Sequence, residues 1–200
     1  RQIIGSAELL ENGLVKPEDQ PRFLSRIHQE ADRLVALIND ILRLSQLDEG
    51  GALPHEQVSV LELAQEAARS LTAQAAAQAV HISVTGTVGT VFGVRRLLYE
   101  IARNLCENAV KYNVPGGSVT VEVAETDRDV ALLVRDTGIG IPEGDQSRVF
   151  ERFYRVDKSH SRAIGGTGLG LSIVKHAVAY HHGTLRLESQ LGKGTVITVT

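Results

Sequence analysis

Asn104, Asn108 and Lys111 step by four and three residues, so on a helix all three share one face. Two Asn in the middle of a strongly patterned helix are locally unfavourable, because their amides compete with the backbone. A buried carboxamide there requires a ligand, a metal or a hydrogen-bonding partner. A solvated polar face opposite an apolar one is the other reading of the same three residues. Two glycine clusters add to them: Asp136-Thr137-Gly138-Ile139-Gly140-Ile141-Pro142 follows a strand pattern, and Gly165-Gly166-Thr167-Gly168-Leu169-Gly170-Leu171-Ser172 opens a helix pattern. Glycines at that spacing let backbone N–H groups approach an anion, and a helix N-terminus adds a favourable dipole. Phosphate binding is therefore the chemistry they suggest, although each run taken singly is also an ordinary turn. Neither is a P-loop, since no Lys-Ser/Thr pair follows at the required distance. Neither is a Gly-x-Gly-x-x-Gly dinucleotide fingerprint, since Glu143 and Leu171 stand where the third Gly belongs.

The elements that must position these residues fall into two groups. Residues 1–50 read as the tail of one helix, a turn at Gly13 and Lys16-Pro17, and a second helix running to about Asp48. Its apolar positions Leu24, Ile27, Ala31, Leu34, Ile38 and Ile41 step 3, 4, 3, 4, 3, a heptad seam that Leu37 and Leu44 widen. Two helices cannot cover such a stripe alone. Pairing with a second copy into a four-helix bundle is the expected solution, and packing on the rest of the chain is the alternative.

After a Glu49–Pro54 linker the texture changes to α+β. Strands are expected at Gln57–Val60, His81–Val84, Val88–Phe92, Val119–Val123, Val130–Val134, Leu185–Leu187 and Thr195–Val199. Helices are expected at Leu61–Ala77, Arg95–Tyr112 and Leu171–His181. The expected architecture is one mixed sheet with helices on one face.

Composition removes several classes. The 200 residues carry 21 Lys+Arg against 24 Asp+Glu, a net charge of −3, which argues against a broad nucleic-acid surface. The single Cys, at position 106, excludes an intrachain disulfide and a multi-thiolate metal site, and its place between two Asn suits a small buried residue better than a nucleophile. No apolar run approaches the ~20 residues of a membrane span, so no direct membrane contact is expected of these residues. The chain has no Met and opens inside an amphipathic pattern, so it reads as a fragment whose upstream sequence is missing.

Taken together, the motifs resemble those of sensor histidine kinases. Asn104-Leu105-Cys106-Glu107-Asn108-Ala109-Val110-Lys111-Tyr112 is similar to the family's N box, and Asp136–Ile141 to its G1 box. Val149-Phe150-Glu151-Arg152-Phe153-Tyr154-Arg155 resembles the F box, Gly166–Leu171 the G2 box, and Gly192-Lys193-Gly194-Thr195 the last glycine motif. Ile3-Ile4-Gly5-Ser6-Ala7-Glu8-Leu9-Leu10 resembles the dimerisation and phosphotransfer hairpin. Within the family, phosphate-regulon-type membrane kinases are the nearest in pattern.

The resemblance implies a helical hairpin over 1–50, dimerising as a four-helix bundle. It implies an ATP-binding α/β sandwich of the Bergerat (gyrase, heat-shock-90, histidine kinase) type over 55–200. It implies a protein-histidine kinase that uses ATP and Mg²⁺, forms a homodimer, and passes phosphate to the receiver domain of a response regulator. It also implies a cytoplasmic location, below a parent protein in the bacterial inner membrane. By the same resemblance Asn108 holds Mg²⁺, Asp136 accepts from the adenine amine, and Asn104 and Lys111 meet metal-linked water and phosphate. Tyr112 lies near adenine or ribose; Gly138, Gly140 and Ile141 flank the base. Gly166, Gly168 and Gly170 meet the phosphates as a mobile lid closes, Thr167, Leu169 and Leu171 belong to the same ATP-binding run, and Arg155 and Lys158 in that lid are γ-phosphate partners. Phe150 and Phe153 either anchor a lid or simply pack in the core. A neutral Asn104, where hydrolysing relatives carry a carboxylate, suits transfer to a protein nucleophile.

The phosphoacceptor His is expected seven residues ahead of Arg1. His28, His55, His81, His160, His176, His181 and His182 read instead as surface or capping residues. Another Bergerat-fold ATPase and a non-catalytic nucleotide-binding dimerisation module are the alternatives.

Overall fold

A computed structural model describes residues 2–48, 53–125, 128–156 and 166–200. Helix α1 (Gln2–Glu11) ends in a turn where Gly13 takes φ +64°, a left-handed conformation that suits glycine. Helix α2 (Gln20–Asp48) follows, 29 residues or ~43 Å long. Helix α1 packs on α2. The heptad seam stays open: Leu24 is 58% exposed and Ile38 56%. The described residues of the chain therefore do not cover it. The expected linker falls on Glu49–Ala52, outside the described residues, and then on Leu53 and Pro54.

The second unit contains β1 (Glu56–Ser59), α3 (Val60–Ser70), α4 (Thr72–Ala77), β2 (His81–Gly86), β3 (Thr90–Gly93) and α5 (Arg95–Lys111). It continues with β4 (Ser118–Glu125), β5 (Val130–Asp136), α6 (Glu143–Gln146), α7 (Gly170–Tyr180), β6 (Leu185–Gln190) and β7 (Gly194–Val199). Five strands form a mixed sheet in the order β2-β4-β5-β7-β6, with β2 parallel to β4 and every other pair antiparallel.

Two expectations are corrected. The strands do not form one sheet: β1 and β3 make a separate antiparallel ribbon. The chain leaves the β2 edge because Gly86 and Gly89 both take positive φ, and the loop between them caps α3 instead. There the Val60 N–H donates to the Gly89 carbonyl at 2.8 Å. The Leu61–Ala77 helix is two helices, broken at Leu71. Ser70 Oγ donates to the Ala67 carbonyl and Thr72 Oγ1 to that of Arg69, so hydroxyls compete for carbonyls that a continuous helix would use.

The core forms where α5 and α7 lie on the sheet. Helix α5 buries Leu97, Ile101, Leu105 and Ala109 at helical spacing, β4 buries Val119, Val121 and Val123 at alternate positions, and α7 adds Val174, Ala177 and Val178. The start of α5 lacks a side-chain cap of its own. His181, at the C-terminal end of α7, caps it from outside: Nε2 accepts the Val94 N–H at 3.0 Å while Nδ1 lies 2.8 Å from the Ala177 carbonyl. A carbonyl only accepts, so the proton sits on Nδ1 and the ring is neutral. Burial, and then the neighbouring His55 and His182, hold its pKa below the usual 6.5, against the raising effect of the Ala177 carbonyl.

A base whose folded pKa is depressed gives stability that is present above its unfolded pKa and lost as pH falls through the folded one. Urea midpoints should therefore drop as pH falls below about 6.5. His181→Gln keeps an acceptor for Val94 but does not titrate, and should flatten that part of the pH dependence. An equal slope in the variant would assign the loss to other groups.

Candidate functional site

Helix α5 turns its apolar stripe to the sheet and thereby holds its polar residues against a cavity of about 680 Å³. Asn104 and Asn108 are half-buried rather than solvated, and both line it, as do Lys111 and Tyr112. Asn104 is held back on its own helix: Nδ2 donates to the Glu100 carbonyl at 2.8 Å and to Glu100 Oε2 at 3.3 Å. Both partners are acceptors, which fixes the amide's orientation and leaves Oδ1 as the free acceptor, 3.0 Å from where a Cβ on Gly170 would lie. The Asn108 side chain makes no hydrogen bond among the described residues. Lys111 Nζ lies 5.6 Å from the Tyr112 ring centroid, a cation–π distance. Burial pushes the Tyr112 phenol up, against the lowering effect of Arg155.

The opposite wall starts at the end of β5. Asp136 Oδ1 accepts the Gly138 N–H at 2.8 Å and the Thr195 N–H at 3.2 Å, and no hydrogen bond among the described residues goes to Oδ2. Burial raises this carboxyl's pKa; the two backbone bonds oppose that but do not cancel it. Gly138 and Gly140 are required by the protein's own backbone. A Cβ on Gly138 would overlap the Tyr112 carbonyl, and one on Gly140, at φ +68°, would overlap that of Gln190.

Residues that no sequence pattern marked hold this turn in place. Ser189 Oγ accepts the Ile141 N–H at 2.8 Å and donates to the Gly194 carbonyl at 3.0 Å. Its single proton is thereby spent, so Thr195 Oγ1, 2.9 Å away, is the donor to it. Gln146 Nε2 donates to the carbonyls of Ile141 and Ser189. Asn113 joins the end of α5 to β4 by donating to the carbonyls of Ala109 and Ser118.

The third wall is the second glycine loop and the segment before it. Arg155 Nη1 donates to the Gly166 carbonyl at 3.0 Å. The Phe153 N–H donates to the Gly168 carbonyl at 2.9 Å. Phe153 itself is 58% exposed, so core packing does not account for it. Tyr154 stacks under the Arg148 guanidinium at 4.3 Å and its hydroxyl bonds Asp145.

Thirteen expected site residues therefore meet around one cavity: Asn104, Asn108, Lys111, Tyr112, Asp136, Gly140, Ile141, Arg155, Gly166, Thr167, Gly168, Gly170 and Leu171. Gly138 and Leu169 do not line it; the Leu169 side chain is fully buried beside Ile173 and Leu37. Lys158 lies outside the described residues. Ala36, Asn39 and Asp40 of α2 also line the cavity, and the sequence reading did not include them. Cys106 is fully buried, and burial pushes its thiol up to about 12, as suits an inert core residue.

Residues 93–200 match the family described as histidine kinase-, DNA gyrase B-, and HSP90-like ATPase, and residues 1–50 match the His Kinase A (phospho-acceptor) domain. The chain belongs to the sensor histidine kinases. It is 38% identical to the sensor-like histidine kinase SenX3 of Mycolicibacterium smegmatis, over 98% of the chain and 53% of that protein. It is 33% identical to the sensor histidine kinase WalK of Bacillus subtilis, over 96% of the chain and 32% of that protein. The chain thus spans about half or less of these relatives. Among solved structures it resembles ShkA in complex with AMPPNP, with a TM-score of 0.76 at 27% identity over 99% of the chain and 42% of that one. It also resembles the mycobacterial sensor histidine kinase MprB, with a TM-score of 0.64 at 32% identity over 73% of the chain and 95% of that one. The fold is thus the ATP-binding fold of this family, preceded by its helical hairpin. Among the described residues no helix is long and apolar enough to cross a membrane.

Asp136 gives a test of the site without any ligand. A carboxyl whose folded pKa is raised lowers the stability of the fold once pH exceeds its unfolded pKa. Asp136→Asn keeps an oxygen for Gly138 and Thr195 and removes the desolvated charge. Its urea midpoint at pH 7 should exceed that of the unaltered chain, and the gain should vanish below about pH 4. A lower midpoint at pH 7 would mean that the two hydrogen bonds outweigh burial.

Proposed function

We propose that this chain is the kinase core of a two-component sensor: residues 55–200 bind Mg²⁺-ATP, and residues 1–50 form the dimer interface and the dock for the response regulator. The single observation that carries this reading is the meeting of the N-box face of α5, Asp136 and the second glycine loop around one cavity of nucleotide size.

The donor set fits a magnesium nucleotide. Among the described residues no group of three His, Cys, Asp or Glu could hold a metal ion alone. Mg²⁺ takes oxygen ligands and keeps several waters, so one amide oxygen plus phosphate oxygens forms a reasonable site. Asn108 would supply that oxygen, and the metal would neutralise phosphate charge.

The chain's own residues do the rest by positioning. Asp136 accepts from the exocyclic amine of adenine through Oδ2, because Oδ1 is held by Gly138 and Thr195. Asn104 offers Oδ1 to a bound water, with its amide fixed by Glu100. As a neutral group it cannot deprotonate that water, which favours transfer over hydrolysis. Lys111 and Arg155 neutralise phosphate, and Tyr112 flanks the base or ribose. Phosphoryl transfer depends on such positioning and neutralisation more than on covalent chemistry from the protein.

The acceptor is the family's His, placed by motif spacing seven residues ahead of Arg1, and the phosphoryl group then passes to an Asp of a response regulator. The open seam of α2 is the dimer interface in this reading. A hydrolysing ATPase is not favoured, because position 104 carries no carboxylate.

Asn108→Ala should abolish the tightening of ATP binding by Mg²⁺ while leaving the fold intact by circular dichroism. Persistent tightening would remove Asn108 as the metal ligand. Asp136→Asn should weaken adenine nucleotides more than inorganic triphosphate. Equal losses would remove Asp136 from base recognition. The reaction is tested with γ-labelled ATP, comparing this chain with one extended upstream through the expected His. Acid-labile label on the longer protein alone supports the kinase; free phosphate from both, with no labelled protein, overturns it in favour of an ATPase.

A further inference from the structure

Helix α2 has two working faces. Its heptad seam points one way. Ala36, Asn39 and Asp40 lie toward the other side of the helix, since ~100° per residue puts positions 36 and 40 roughly 120–180° from positions 27, 34 and 38, and Leu37 lies at the edge between the two faces. This second face meets the ATP-binding unit. Leu37 packs on Leu169 and Ile173, which are 0% and 1% exposed. Thr167 Oγ1 donates to Asp40 Oδ2 at 2.7 Å.

The bonds around Thr167 decide what this contact does. Its hydroxyl carries one proton, and Asp40 takes it. The hydroxyl oxygen accepts the Leu169 N–H at 3.3 Å, the residue at the start of α7. A side-chain donor and a backbone donor of the second glycine loop are thus satisfied inside the protein, at the wall where phosphate is expected. The acceptor that holds this pair is an anionic oxygen, the same kind of group that a nucleotide phosphate would offer. Asp40 also lines the cavity.

We propose that Asp40 is a specificity-determining residue of the nucleotide site: its carboxylate occupies the Thr167 hydroxyl in place of a phosphate oxygen, so a triphosphate binds only by displacing α2 from the loop. The proposal rests on the nucleotide reading above. Two like charges cannot share one donor at contact distance without a large cost in a half-buried cavity. The penalty grows with the number of phosphates and is smallest for a nucleoside. Because the opposite face of α2 is the open apolar seam, whatever holds that seam also biases the contact. Nucleotide length and hairpin geometry are thereby coupled through one hydrogen bond.

The experiment is calorimetric titration of this chain with adenosine, ADP and ATP, with Mg²⁺ present, for the unaltered protein, Asp40→Asn, Thr167→Val and the double variant. Asp40→Asn is isosteric and keeps Leu37 in place. It should tighten ATP about tenfold, with the gain shrinking for ADP and least for adenosine. Thr167→Val should weaken ATP more in the Asp40→Asn background than alone, since a neutral amide gives up the hydroxyl to a phosphate oxygen more readily than a carboxylate does. An unchanged or weaker ATP affinity in Asp40→Asn, with adenosine still binding, overturns the proposal alone. No binding of any of the three to the unaltered chain overturns the nucleotide reading with it. Urea midpoints for each variant separate loss of fold from loss of affinity.

Discussion

Helix α5 is fixed by the burial of one apolar stripe, and the geometry of the site follows from that burial. Leu97, Ile101, Leu105 and Ala109 recur every four residues and are buried in one core with the valines of β4 and the apolar face of α7, which fixes the helix's rotation. A rotation of one residue, about 100°, would bury Asn104 or Asn108 and expose Leu105. The positions of the two amides and of Lys111 are therefore set by hydrophobic packing, not by attraction to a ligand. His181 holds the start of this helix, and Asn113 ties its end to β4. Both ends are thus secured by side chains from outside its own sequence.

The wall opposite α5 works differently. Around Asp136 the fold keeps a desolvated carboxyl that burial disfavours. A desolvated carboxyl with two backbone donors on one oxygen is a poor choice for the empty fold and a good one for a ligand that brings a further donor. Such a group costs more to leave unpaired than its pairing contributes to folding, and that asymmetry is what makes a buried acceptor selective. The Ser189, Thr195 and Gln146 network keeps the turn rigid around it. Rigidity there matters because a carboxyl free to rotate would find water instead of ligand.

The hairpin supplies a third constraint. Its seam is apolar and open, while its other face reaches the cavity through Asp40. One helix therefore faces both the expected partner subunit and the nucleotide wall. The geometry makes the contact between the units polar at its tip and apolar at its base, with Leu37 against Leu169 and Ile173.

Much of this was legible in the residues themselves. The stripe of α5, the alternation of β4 and the heptads of α2 are local periodicities, and local periodicity is what a sequence carries directly. The glycine boxes and the spacing of Asn104, Asn108 and Lys111 belong to the same kind of short-range signal. What the sequence did not show depends on contacts between distant segments. The separation of β1 and β3 from the main sheet turned on two positive-φ glycines, and the break at Leu71 on two hydroxyls competing for carbonyls. Ser189 and Gln146 carry no motif; they matter because β6 and α6 happen to meet the turn after β5. Asp40 lies 127 residues from the threonine it holds. No pattern in α2 distinguishes it from any other acidic residue on a solvated face, so only the packing of one unit on the other gave it a partner.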